Sequence, residues 1–345
     1  MFTSASYSAP PHFGPAEWDG FPKLWERNSS YLKTISTMTE SNNSISVAVN
    51  GVGSTNVTTN AELQPRLCRL GDLLEEWQTE ALAAHEARAN DTPRGPLSRF
   101  EILDRELGGC FLPGLHFVHG QPGTGKTALG LQLAANCGTP ALFLSCEMAP
   151  IELLRRHTAR ATSTYLGKFK SGELSPALSL SLVQKAIATA PQLAILDSTC
   201  APARPEFLRD CIRIARGASP HIFVVIDSLQ SWVEGVVPQA SEYEALGEGI
   251  ARLRQLSHEL KAPFFLMCER NRESMKNGGL SAGAGTRKIE YSAETVMDLS
   301  VDEGIHANVQ GEKAVRLCLT KNRHGAVGKV VSLSFNGGFQ RFKAE

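Results

Sequence analysis

From Leu115 onward, short apolar runs alternate with longer stretches in which apolar residues recur every three to four positions. The runs Leu115–His119, Ala141–Cys146, Leu193–Leu196, Ile222–Ile226 and Phe264–Met267 predict strands, by their brevity and β-branched content. The helical period between them predicts helices near Thr127–Asn136, Ile151–Thr162, Leu178–Ala190, Glu206–Arg216 and Glu242–Leu260. Strands that are apolar throughout and alternate with helices form a parallel sheet covered on both faces, an α/β architecture. After Glu294 the runs Thr295–Leu299, Ala314–Thr320 and Val330–Phe335 follow one another through short turns, which predicts an antiparallel extension of the same sheet. The main domain therefore spans residues 98–345.

Upstream the pattern dissolves. Between Thr34 and Asn60 the chain is mostly Ser, Thr, Asn, Gly and Val, too poor in large apolar residues to offset its ordering entropy, so residues 1–66 are expected to be a disordered tail or a docking arm. Residues 67–97 read as a helix and linker. Leu70, Leu73, Leu74, Trp77, Leu82 and Ala83 are expected near one helical face that packs on a neighbouring subunit, and Asn90-Asp91-Thr92-Pro93-Arg94-Gly95-Pro96 is a hinge by composition.

Composition narrows the classes. Lys+Arg and Asp+Glu both number 35 in 345 residues, which argues against a broadly basic nucleic-acid coat but not against a local basic channel. No apolar run approaches the roughly 20 residues that span a bilayer, and no secretory signal is visible. The eight cysteines include no CxxC pair, so buried thiols in a reducing cytoplasm are expected rather than zinc or disulfides.

The strongest chemical signal is Gly120-Gln121-Pro122-Gly123-Thr124-Gly125-Lys126-Thr127. It follows a predicted strand and opens a predicted helix, the context a P-loop requires. Its backbone N–H groups would wrap the phosphates of ATP, Lys126 would reach the β- and γ-phosphates, and the Thr127 hydroxyl would face Mg²⁺. Ile222-Phe223-Val224-Val225-Ile226-Asp227 describes a buried strand delivering Asp227 to the C-terminal edge of the sheet, where ligands of such sheets gather. Asp227 is the candidate for the Mg²⁺ shell, with Asp197, at the end of Leu193-Ala194-Ile195-Leu196, as the rival. Glu147 ends a third strand and is the candidate base for the attacking water, against the plainer reading of a first-turn helix acid.

Taken in order, Leu103-Asp104 with Leu107-Gly108-Gly109, the P-loop, Ser145-Cys146-Glu147-Met148, Ile226-Asp227-Ser228-Leu229-Gln230 and Lys321-Asn322-Arg323-His324-Gly325 resemble the RecA-like ATPase core of DnaB-type hexameric helicases and of the RadA/Sms helicases. The resemblance implies a RecA-like P-loop sheet and a ring or filament, usually of six subunits, with ATP between neighbours. It implies that Glu147 is the catalytic glutamate, and that Lys321 and Arg323 reach the γ-phosphate of the next subunit's ATP. Without it, Lys321 and Arg323 read as solubility charges beside a turn. The Gly-rich basic segment with Arg270, Arg272, Lys276, Arg287 and Lys288 resembles a channel-facing loop that tracks single-stranded DNA phosphates; the plainer reading is a surface loop.

Three features depart from the pattern. Glu269 stands where these families place a neutral or basic phosphate sensor, and an acid there repels a γ-phosphate unless Arg270 or Mg²⁺ pairs with it. No counterpart is expected of the helical N-terminal domain of replicative DnaB helicases, nor of the zinc-binding cysteines and C-terminal domain of RadA. The expected function is an ATP-driven helicase or translocase on single-stranded DNA. The alternatives are a KaiC-like ATPase switch and a DNA-loading or recombination factor without unwinding activity.

Overall fold

The structure, a computed structural model, describes residues 67–238, 240–269, 288–301 and 307–345. The strands are β1 (Gly114–Gly120), β2 (Ala141–Ser145), β3 (Leu193–Asp197), β4 (Phe223–Asp227), β5 (Pro263–Glu269), β6 (Ala293–Val301), β7 (Glu312–Asn322), β8 (Lys329–Asn336) and β9 (Arg341–Ala344). They form one sheet in the order β3-β2-β4-β5-β1-β6-β7-β8-β9. The helices are α1 (Leu74–Ala89), α2 (Glu101–Glu106), α3 (Lys126–Asn136), α4 (Pro150–Thr162), α5 (Lys168–Ser171), α6 (Pro176–Thr189), α7 (Pro205–Arg216), α8 (Leu229–Val236) and α9 (Glu242–Leu260).

Every predicted strand and helix of the main domain is present. Helices α4, α6 and α7 each begin with a proline in the first turn, where the missing N–H costs nothing, which is why their starts are sharp. Helix α9 starts with a reciprocal capping box between Ser241 and Glu244. The antiparallel extension begins one strand later than expected: β6 still runs parallel to β1, and only β7, β8 and β9 alternate in direction. The short turns after Glu294 are compatible with either arrangement, so local pattern does not reveal on which side the first strand docks. Helices α2, α5 and α8 and strand β9 are short elements that periodicity does not register.

The central strands β1, β2, β4 and β5 are buried on both faces. On one, Leu129 and Leu133 of α3 pack with Phe143, Phe223 and Phe265; on the other, Trp232, Leu253 and Leu256 cover Leu144, Ile226 and Leu266. Each such side chain contributes roughly 1.5–3 kcal/mol by leaving water. Helix α3 lies tight on the sheet because position 130 is glycine: a Cβ there would strike Met267 and come within 3.2 Å of Val225 Cγ1.

The expectation of one apolar face on the upstream helix needs correction. Trp77 and Leu82 are five residues apart, about 140° around the axis at 100° per residue. Leu70, Leu74, Trp77 and Leu82 are all exposed, and α1 contributes no buried residue. The expectation of buried thiols holds for Cys110, Cys137 and Cys268, whereas Cys200 is exposed. No described helix is long and apolar enough to cross a membrane.

Candidate nucleotide-binding site

Strand β1 lies between β5 and β6, and its last residue, Gly120, pairs with Glu269 on one side and Leu299 on the other. The chain then turns through Gln121–Thr124 into α3. Gly125 caps that helix at φ 95, a left-handed conformation, and a Cβ there would come within 2.9 Å of Phe342 Cζ and 3.0 Å of Phe335 Cε1. Thr124 Oγ donates to the Gln121 carbonyl at 2.8 Å and braces the turn. Lys126 Nζ donates to the carbonyls of Gly120 at 2.7 Å and Gln121 at 3.3 Å, so the ammonium lies folded across the mouth of the loop. A concave row of backbone N–H groups, a helix N-terminus and one lysine is an anion cradle, and the donor set fits the phosphates of a nucleotide.

Three carboxylates surround it. Asp227, at the end of β4, is 5% exposed and is hydrogen-bonded to the Thr127 side chain. Burial raises its pKa to about 6; the Thr127 hydrogen bond opposes this, and the Glu147 carboxylate adds to it. A buried acid with a hydroxyl and a second carboxylate nearby is the donor set a hard divalent cation takes, with oxygen ligands and charge to neutralise. Asp197, the rival, ends the edge strand β3, is exposed, and accepts hydrogen bonds from the Thr199 N–H and hydroxyl. Strand order separates the two: β4 lies two places from β1, β3 lies four places away.

Glu147 is held by its surroundings. Ser145 Oγ donates to the Met148 carbonyl at 2.6 Å and fixes the turn after β2. The Ser228 and Ser231 hydroxyls both donate to Glu147 Oε1, at 2.5 and 2.6 Å. Ser228 is also the N-cap of α8, so the strand that carries Asp227 and the helix after it together orient Glu147. The Asp227–Ser228 peptide is cis. Glu269 lies at the end of β5, lining the same cleft; its N–H donates to Gln230 Oε1 at 3.3 Å.

The cleft over these residues measures about 890 Å³. Beyond the P-loop it continues to Tyr165 and the β8–β9 turn at Asn336–Gln340. Arg156 enters it from α4, its Nη1 donating to Gln340 Oε1 at 2.7 Å and its charge reaching Asp227. Sequence reasoning missed Arg156 and Ser231. An arginine in the middle of an amphipathic helix and a serine in a first turn carry no distinguishing local signal; only their placement on the cleft does.

Lys321 and Arg323 lie elsewhere. Lys321 pairs with Val296, which sits opposite Phe117, and Arg323 N–H donates to the Glu294 carbonyl at 3.0 Å. The Lys321 backbone is thus level with the middle of β1, but its ammonium reaches the Ala293 carbonyl opposite Leu115, and Arg323 lies at that same N-terminal end, so both cationic groups are roughly 16 Å along the strand from Gly120. Of the basic segment, Arg270, Arg272, Lys276 and Arg287 lie outside the described residues. Lys288 is described: its Nζ is 3.7 Å from the centroid of the Tyr243 ring.

The model of the DnaB-like helicase C terminal domain matches residues 95–344. A replicative DNA helicase DnaB of Buchnera aphidicola is 24% identical over 271 residues, 73% of this chain and 56% of that protein. One of Treponema pallidum is 27% identical over 255 residues, 70% of this chain and 54% of that protein. The chain thus spans about half the length of the curated relatives it matches. Among solved structures, one described as an ATPase domain superposes with a TM-score of 0.67 at 20% identity, covering 80% of this chain and 99% of that domain. A DnaB-like replicative helicase, described with its interactions with primase, superposes at 0.63 and 20% identity, covering 79% of this chain and 71% of that one. The fold is therefore RecA-like, and with a family model matching most of its length, this chain belongs to the family of the DnaB-like helicase C-terminal domain.

Proposed function

We propose that the protein is an ATP-driven helicase or translocase on single-stranded DNA that works as a ring, with each nucleotide held between two copies. The observation that carries this reading is the separation within one chain. The phosphate cradle, Asp227 and Glu147 converge at the C-terminal edge of the sheet, while Lys321 and Arg323 stand at the opposite edge. Two cations that belong to the same chemistry but cannot meet it within one chain meet it across an interface. The matching relatives are named replicative DNA helicases, which supports the choice of reaction.

In this reading residues 120–127 bind the phosphates, with Lys126 leaving the Gly120 and Gln121 carbonyls for the β- and γ-phosphates. Thr127 and Asp227 would hold Mg²⁺, which supplies charge neutralisation on the phosphates when bound. Glu147, with Oε1 saturated by Ser228 and Ser231, presents its other oxygen to orient and deprotonate the attacking water. Lys321 and Arg323 of the neighbour stabilise charge on the transferring phosphoryl group, which makes hydrolysis depend on subunit contact. Lys288, with Arg270, Arg272, Lys276 and Arg287, contacts DNA phosphates without reading sequence.

The test mixes two variants that are each inactive. Lys126→Ala keeps the trans cations but has no usable site; Arg323→Ala keeps the site but lacks a cation. Mixed rings should recover ATP turnover where an intact site faces an intact Arg323, and single-stranded DNA should stimulate that turnover less as salt rises. No recovery on mixing would remove the cross-subunit assignment. Turnover indifferent to DNA would favour an ATPase switch.

A further inference from the structure

Lys321 and Arg323 are not free at their edge of the sheet. Residues 288–292 form a helical turn leading into β6. Lys321 Nζ donates to the carbonyl of Ala293 at 2.7 Å and to that of Glu290. Arg323 Nη2 donates to the Tyr291 carbonyl at 3.0 Å, and its Nη1 lies 3.5 Å from Glu294 Oε1. The last carbonyls of a helix have no intrahelical donor, and cations are favoured there. The two cations therefore cap the turn at residues 288–292.

The same turn is tied at its other end. Ile289 is buried in the core face that contains Leu253 and Leu256 of α9. Lys288 Nζ rests on the Tyr243 ring and donates to the Tyr243 carbonyl at 3.3 Å. Position 247, one turn along α9, is glycine, and a Cβ there would collide with the Lys288 ammonium.

We propose that this turn and Glu294 form a cradle that restrains Lys321 and Arg323, and that release of Lys288 from Tyr243 to a nucleic-acid phosphate loosens it. The inference rests on reading the two cations as acting on a neighbour's nucleotide. The neighbour's phosphates and the carbonyls of Glu290, Tyr291 and Ala293 compete for the same N–H donors. Freeing the cations uncaps the turn, and disturbing the turn at Lys288 frees the cations. Two events that share one element are coupled reciprocally. DNA contact at one end of the turn thereby favours hydrolysis in the adjacent copy's site.

Two variants of the full chain test this without touching a basic residue. Glu294→Gln removes the carboxylate beside Arg323 at nearly constant shape, and Tyr243→Leu removes the seat of Lys288. Each should raise ATP turnover without DNA by roughly two- to fivefold, the range expected from losing one partly exposed charged contact. The stimulation by an oligothymidylate should fall in proportion, KM for ATP should stay unchanged, and Glu294→Asp should restore the wild-type ratio. If Glu294→Gln does not fold, Tyr243→Leu carries the test from a half-exposed position. Arg323→Ala is the control. If it retains full turnover, the cross-subunit reading fails and the cradle with it. If Arg323→Ala is inactive while both test variants keep the wild-type ratio, the cradle alone is overturned. A Glu294→Gln protein that melts normally yet falls to the Arg323→Ala level would show that these contacts position the cations, which also overturns restraint.

Discussion

Asp227 concentrates the electrostatics of the site. Its pKa is raised, first by burial and then by the Glu147 charge, to about 6 in the absence of a bound cation. A carboxyl whose folded pKa lies above its unfolded value is most stabilising while protonated, and that contribution is lost as pH rises from about 4 through about 6. Asp227→Asn should therefore raise the unfolding free energy of nucleotide-free protein at pH 7.5 by on the order of 1–3 kcal/mol, read as a higher melting temperature. The gain should vanish as pH is lowered towards 4, while turnover is lost at every pH. Turnover of the wild type should fall at acid pH, because in the proposed mechanism a neutral Asp227 no longer attracts the cation. Glu147→Gln should lower kcat by about 10² to 10⁴ with nucleotide binding retained, the range for loss of a general base; equilibrium binding beside single-turnover hydrolysis separates the two effects.

At the scale of elements, the turn between β1 and α3 is set by close packing as much as by phosphate chemistry. Gly125 holds a left-handed conformation beneath Phe335 and Phe342, which stack on each other with ring centroids 4.3 Å apart. Gly125→Ala should cost about 1–3 kcal/mol through backbone strain alone. It should also abolish nucleotide binding, because relief of the contact must move either the loop or the β8–β9 strands. Thermal melting and nucleotide titration on the same sample check both. The P-loop was legible in the sequence because eight consecutive residues carry it. The hold on Glu147 was not, since Ser228 and Ser231 are more than 80 residues away and meet it only because β2 and β4 are neighbours.

For the whole molecule, α1 stands out among the described residues for the large apolar side chains it leaves exposed. Trp77 is 71% exposed and Leu74 59%, and their helix adds nothing to the core. We propose that a neighbouring copy covers them. Trp77→Ser combined with Leu74→Ser should leave the unfolding free energy of the ATPase domain within about 0.5 kcal/mol of wild type, as surface changes do. It should shift the sedimenting species to smaller assemblies and reduce turnover in parallel, because in the proposed ring a neighbour completes each site. Unchanged assembly would remove α1 from the interface.

The chain's own pattern of apolar and polar residues determined the elements, their alternation and the carboxylates at the strand ends, because periodicity and turn residues act over a few positions. The phosphate cradle belongs with them, since one short segment contains it. Tertiary structure decided the rest. Strand order put Asp227 rather than Asp197 near β1, seated Ser228 and Ser231 on Glu147, brought Arg156 into the cleft and placed Lys321 and Arg323 at the far edge of the sheet. Pairing between strands is a non-local choice made by the packing of both faces at once, and no window of sequence records it.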